Sequence, residues 1–369
     1  MAGRYTAQLQ ASGHRFVLRR VECALLCGTV RSPDEPLRVR SSLAVGCLLA
    51  ALVVGGCALL AVVRPQSVPD SAPIVLGRQS GALYVWVDAT LHPVLNVASA
   101  RLIAATDADP QPVRESDLER TPRGPLLGIP GAPQAVGAAL PETATWSVCD
   151  TAGDAGPTTT VVAAAGRPLP GTPIDPEQPT AVTLGGDAAP QLLYRGRRTV
   201  AVRPVGPAPR VVSGLLLNAI PEAPPTGQVA DFSGGAAALP AGSSTLCATW
   251  TWLPDGGADV TLSAGDGLPL PAGAAPVALA QADGAGPALD AVYLPPGRSG
   301  YVRSAGLAPR AGGERYLVVE TGVRFPIGDD EAGHSLGLPA TAAPAPWPVL
   351  AALPTGPQLS RQYALVPRP

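Results

Sequence analysis

The stretch 43–63, LAVGCLLAALVVGGCALLAVV, runs for 21 residues without a charge or a proline. A helix rises about 1.5 Å per residue, so a run of this length crosses a hydrocarbon layer of about 30 Å. No other stretch of the 369-residue chain comes close. It reads as a single transmembrane helix, with a short arginine-rich segment before it and a large acidic one after it.

The flanking charges orient that helix. Residues 1–42 carry seven arginines against Glu22, Asp34 and Glu35, whereas residues 65–369 carry 18 arginines against 25 acids. The more positive flank of a membrane helix stays in the cytoplasm. The expectation is a single-pass protein of the inner (plasma) membrane, with its N-terminus cytoplasmic and its bulk extracytoplasmic. A cleaved signal peptide would need a 42-residue charged region, and no A-x-A site follows the apolar run. A lipoprotein is the second rival, because Val54-Gly55-Gly56-Cys57 resembles a lipidation box. Six apolar residues, Ala58 to Val63, continue beyond Cys57, which favours an uncleaved anchor. All 26 basic residues are arginine, and the outer segment has no basic patch of the kind nucleic acid needs.

The six cysteines sort by compartment. Cys23 and Cys27 precede the apolar run, Cys47 and Cys57 lie in it, and Cys149 and Cys247 alone lie outside. The outer two sit in mirrored settings, Trp146-Ser147-Val148-Cys149 and Cys247-Ala248-Thr249-Trp250. One disulfide is the economical pairing in an oxidising space, and two buried free thiols are the alternative. Closing so long a loop would stabilise the fold by about 4–5 kcal/mol in the chain-entropy model.

Composition is 46% apolar but only 4% aromatic, and 42 glycines with 44 prolines approach a quarter of the chain, which predicts modest cores joined by Pro/Gly connections. Residues 12–28 read as an amphipathic helix with Ser12 as N-cap and Gly28 as stop. Phe16, Arg19, Arg20 and Cys23 share one face, which is expected to dock on a partner or lie on the membrane surface. Four later stretches read as strand, tight turn, strand: Leu83–Val94, Leu192–Val202, Val292–Val302 and Tyr316–Ile327. Helical spacing follows the first at Asn96–Ile103 and the last at Asp329–Leu336. Such units are too small to fold alone and must pack on neighbours. Thr158–Ala164 and Leu246–Trp252 read as strands of a β domain.

The expected fold class is therefore α+β: one transmembrane helix, then an outer region of hairpin-plus-helix repeats with a β-rich domain between them. The boundaries read as a cytoplasmic segment 1–42, the anchor 43–63, a linker 64–80, a first repeat 81–135, a central domain with a second repeat-like hairpin 136–285, C-terminal repeats 286–338 and a proline-rich tail 339–369. That tail is expected to run extended over the surface.

Chemistry is sparse. Gly333-His334-Ser335-Leu336-Gly337 matches the G-x-S-x-G elbow, but no Asp, Glu or His follows Ser335, so a triad in the required order cannot form. A P-loop needs a lysine and there is none. His14, His92 and His334 are isolated, and Asp329-Asp330-Glu331 reads as a helix start rather than a cation site. No catalytic residue, metal or cofactor is expected.

The runs Gln10–Phe16 with Arg19-Arg20, Arg64-Pro65-Gln66, Ser80–Val85, Thr90–Asn96, Ala98–Ile103, Gly124–Pro133, Trp146–Asp150, Leu217–Glu222 and Thr321–Pro326 resemble, in order and over nearly the whole chain, the EccB component of type VII (ESX) secretion systems. The resemblance implies a single-pass subunit whose inner helix and anchor join EccC-type ATPase, EccD and EccE components in the export complex. It also implies an elongated outer region of small repeats around a central β domain crossed by a Cys149–Cys247 disulfide, a region that assembles with copies of itself. This chain is shorter than its relatives, with the compression expected between Leu140 and Asn218 and in the central domain. Some family members are described as ATPases, a label for which this sequence holds no motif. The leading expectation is a structural subunit of a secretion machine. The alternatives are an outer ATPase or hydrolase of the same system, and a lone anchored cell-wall or ligand-binding protein.

Overall fold

The structure is a computed structural model that describes residues 2–27, 45–56, 72–119, 121–165, 171–200, 208–224, 236–308 and 313–368; within the first helix the side chains of 2–12, 23 and 27 lie outside the described set. The chain divides into two compact units, Met1–Pro69 and Asp70–Pro369.

In the first unit a helix spans Ala2–Cys27. It does not begin at Ser12, because the residues ahead, ArgTyrThrAlaGlnLeuGlnAla, are fair to good helix formers that carry it through the weak Ser12-Gly13 pair. Gly28, the expected stop, lies outside the described residues. Residues 45–56 form a second, exposed helix. Among the described residues no helix is long and apolar enough to cross a membrane. Positions 43, 44 and 57–63 of the apolar run are not among them.

The second unit holds three four-strand arrangements with one topology. The first is built from Ile74–Gly77, Leu83–Val87, Thr90–Val94 and Gln111–Val113. The second uses Thr180–Thr183, Gln191–Tyr194, Arg197–Val200 and Arg210–Val211. The third uses Arg298–Ala305, Arg315–Val318, Arg324–Pro326 and Ala343–Pro346. In each, the spatial order is third, second, first, fourth strand. The second runs antiparallel to both the first and the third, and the fourth runs parallel to the first. In the third sheet, Ala138–Ala139 also pairs with Arg298–Ser299.

All three protect the outer edge of the third strand in the same way. The N–H of Leu91, Arg198 and Arg324 donates to the carbonyl of Pro122, Pro221 and Pro354 at 2.9, 2.8 and 2.9 Å. The carbonyls of those same three residues accept from the N–H of Gly124, Ala223 and Gly356. A returning x-Pro-x-Gly/Ala segment thus occupies an edge that would otherwise be open to foreign strands.

Between these sheets runs a seven-stranded one in the order Val277–Ala278, Ala291–Tyr293, Thr158–Ala164, Thr145–Thr151, Thr245–Trp252, Ala258–Gly265, Thr172–Pro173. Its two edges are two-residue strands, too short to recruit another chain. One core gathers Trp146, Val148, Leu246 and Trp250 of this sheet with Leu193 and Ile220 around the second and Val302, Tyr316 and Val318 of the third. Another joins Ile74, Val85 and Leu102 around the first sheet to Leu317, Phe325 and Leu336 around the third. Strand alternation explains why the third sheet serves both: Tyr316 and Val318 point one way and Leu317 the other. The helix Val97–Ala104 enters the second core, capped by Asn96, whose Oδ1 accepts from the Ser99 N–H at 2.9 Å.

Three expectations are corrected. The 64–80 linker includes Ile74–Gly77, a strand in which Ile74 and Val75 are fully buried, since β-branched apolar residues there suit a sheet interior. The Val292–Val302 hairpin does not form. Ala291–Tyr293 joins the seven-stranded sheet and Arg298–Ala305 the third, because Pro295-Pro296 supply no N–H for antiparallel rungs. The tail 339–369 does not run over the surface. It provides the strand Ala343–Pro346 and the helices Trp347–Ala352 and Arg361–Ala364, with Val349, Leu350, Leu359 and Ala364 fully buried. Its prolines fit because Pro344 and Pro346 lie on an edge strand and Pro348 in a first helical turn.

Candidate functional site

The strands Thr145–Thr151 and Thr245–Trp252 pair antiparallel in a register that sets Cys149 opposite Cys247 and Trp146 opposite Trp250. The mirrored sequence settings follow from that register. The two sulfurs form a disulfide, with Cα atoms 4.1 Å apart and a separation of 98 positions in sequence. It lies on the face lined by Val162 and Tyr293.

The neighbouring residue, Asp150, points to the opposite face and is fully buried. Its Oδ2 accepts from the Ser213 N–H at 2.6 Å, and its Oδ1 accepts from Ser213 Oγ at 2.8 Å and Thr159 Oγ1 at 2.9 Å. Ser213 is the N-cap of the helix Gly214–Ala219, accepting from the Leu216 N–H. The other end of that helix receives the Trp250 Nε1 hydrogen bond at the Ala219 carbonyl, 2.8 Å away. Thr159 also donates its N–H to Asp290 at 2.7 Å. A chain of polar groups therefore pins the second sheet, through its helix, to the central one. Burial raises the Asp150 pKa above the usual carboxylate value, partly offset by the Ser213 and Thr159 hydrogen bonds and by Arg210. Arg210 is pulled down by its own burial and donates to the carbonyls of Ser243 and Ser244.

The residues singled out from sequence fall into separate places. Cys149 and Cys247 meet. Phe16, Arg19 and Arg20 lie on the exposed first helix, with the Arg20 guanidinium 5.9 Å above the Phe16 ring. The side chain of Cys23 lies outside the described residues. Ser335 is buried and donates to the Glu331 carbonyl inside its own helix, so its hydroxyl faces a backbone acceptor instead of a base. Asp150, Thr159, Ser213 and Arg210 were missed. The available signal was an acid inside an otherwise uncharged strand, TWSVCDT.

The family model described as type VII secretion system ESX-1, transport TM domain B, matches residues 3–239 and 233–368. The chain belongs to the EccB family. It is 32% identical to the ESX-3 secretion system ATPase EccB3 of Mycolicibacterium smegmatis over 98% of this chain and 90% of that one. To the ESX-5 secretion system ATPase EccB5 of Mycobacterium marinum it is 31% identical over 98% and 93%. Among solved structures it resembles a chain of an intact ESX-5 inner membrane complex, with a TM-score of 0.68 at 28% identity, covering 98% of this chain and 95% of that one. It also resembles the EccB3 dimer from the ESX-3 core complex, at a TM-score of 0.66 and 26% identity over 80% and 100%. The alignment to the M. smegmatis EccB runs over 476 positions, so that relative carries segments with no counterpart in this shortened member. The family model divides at 233–239, after the second sheet.

Proposed function

We propose that the chain is a structural subunit of an ESX-type inner-membrane secretion complex. The observation that carries this reading is likeness over 98% of the chain to a subunit of an intact ESX-5 inner membrane complex. In this reading residues 43–63 are the anchor and residues 1–42 face the cytoplasm, with Phe16, Arg19, Arg20 and Cys23 offered to the other core components. The outer region meets further copies of itself, as the relative named EccB3 dimer does. The three sheets of identical strand order are copies of one repeat, set around a central domain crossed by the Cys149–Cys247 disulfide. The relatives' names include the word ATPase; here the absence of any lysine removes the P-loop route to that activity.

The test is purification of the tagged full chain in mild detergent. Co-isolation of a multi-subunit complex containing an FtsK-like ATPase supports the proposal, and a free monomer refutes it. Sidedness is tested with an impermeant thiol reagent on intact cells. A cysteine introduced as Arg361→Cys should label while Cys23 does not, and the reverse pattern overturns the topology.

A further inference from the structure

A cleft of about 570 Å³ lies where the second sheet's helix, the central sheet and the third sheet converge. Trp250, Trp347, Pro221 and Pro348 line it, with Arg303 and Asn218. Both indoles are held in place. Trp250 is tied through Nε1 to Ala219. Trp347 packs against Tyr316, ring centroids 6.4 Å apart, and against the Arg324 guanidinium at 5.3 Å, yet it remains 47% exposed. An exposed aromatic braced in this way is pre-organised for contact, because little side-chain entropy remains to be lost.

Arg303 supplies the charge. It stands directly opposite Arg315 in the sheet register, where like charges disfavour each other. Arg315 is neutralised by Asp330, whereas Arg303 has no ion pair or side-chain hydrogen bond among the described residues. An unpaired arginine beside two indoles and two prolines fits a ligand that is apolar and extended and carries one carboxylate. Polyproline II segments meet these terms, since their ordering cost is low and their backbone asks for few hydrogen bonds. A glycan would need more polar side chains than this lining offers.

We infer that this cleft binds an extended, proline-containing peptide segment through Trp347, with Arg303 pairing to an acidic residue of that segment. The site is independent of the assembly proposed above.

The experiment is titration of the full chain, in detergent micelles, with a short acetylated peptide of prolines around one aspartate. Its asparagine analogue serves as the control, and both are followed by tryptophan fluorescence and calorimetry. Saturable binding should weaken about tenfold in Trp347→Ala and recover in Trp347→Phe, as expected for loss and return of an aromatic contact. Arg303→Gln should abolish the preference for the aspartate peptide, and added salt should weaken binding in the parent chain only. No saturation at millimolar peptide, equal affinity in Trp347→Ala, or displacement by a chitin oligosaccharide would each overturn the inference. If Trp347→Ala fails to fold, Arg303→Gln with the peptide pair decides the matter alone.

Discussion

The first and second sheets share strand order, a two-residue hairpin turn and an edge-protecting proline segment, yet the helices that fasten them leave from different points of the chain. After its third strand the first sheet has a connection containing Val97–Ala104, and that helix shares an apolar core with the third sheet. The corresponding connection in the second sheet is the shorter 201–209, with prolines at 204, 207 and 209. The helix that fastens the second sheet, Gly214–Ala219, comes after the fourth strand instead; it buries Leu216, Leu217 and Ala219 in the central core and adds a polar tie, the Asp150–Ser213 pair. Strand order therefore does not decide how a sheet is attached; the place of its helix in the chain does.

The largest effect is expected at the apolar joint. Leu317 is fully buried in the core shared by the first and third sheets, and Leu317→Ala should cost about 3–5 kcal/mol through lost transfer energy plus a cavity. Hydrogen exchange should show the loss at 97–104 before it reaches 214–219. Uniform loosening of both segments would mean that the two joints are not separate.

Next comes the polar joint. Asp150→Ala leaves the Ser213 N–H and two hydroxyls without their acceptor and Arg210 without a nearby opposite charge, and should cost about 2–3 kcal/mol. Here exchange should rise at 214–219 and leave 97–104 protected. Asp150→Asn keeps one acceptor oxygen and should lie between the two.

Acid should separate the sheets by sign. Glu115 accepts from the Gln79 and Ser80 N–H groups in the first sheet's opening turn, with the Ser80 bond the largest of the causes that lower its pKa to about 2. Its folded pKa lies below its unfolded one, so its contribution is present above pH 4.5 and fades as pH falls toward 2. Asp150 is raised instead, by burial, so its contribution is fullest below the ordinary aspartate pKa of 3.8 and is lost as pH rises through its folded pKa. Stability measured against pH for Glu115→Gln and Asp150→Asn should therefore diverge from the parent in opposite directions. Parallel curves would refute the assignment.

Much of this was readable in advance where the cause is local. Asp88-Ala89 and Arg195-Gly196, each between β-rich runs, marked both hairpins, and the mirrored Trp and Cys positions marked an antiparallel pair. What failed depended on distance or on proline. Pro295-Pro296 looked like a hairpin turn because its flanks are apolar, but those flanks belong to different sheets. The tail's prolines looked like a surface coil because nothing local announces that Arg298–Ala305 offers them an edge. Asp150 went unassigned because Ser213, its main donor, lies 63 residues on.

The smallest effect sits in the two turns themselves. Asp88 and Ala89 have φ of 47° and 60°, and Arg195 and Gly196 have 48° and 64°, so both hairpins close through left-handed pairs that match the strand twist. Glycine adopts that conformation freely, whereas alanine costs about 1 kcal/mol there. The second turn has a further reason for glycine: a Cβ at 196 would collide with the Val260 carbonyl oxygen, while Ala89 is exposed. Ala89→Gly should therefore raise stability, but only by about 0.5 kcal/mol, since the added freedom of the unfolded chain offsets part of the relief. A rise in the thermal midpoint confined to Ala89→Gly, beside a clear fall in Gly196→Ala, would show that two turns of one geometry differ only in what stands next to them. A fall in both would place a hidden contact at the Ala89 methyl.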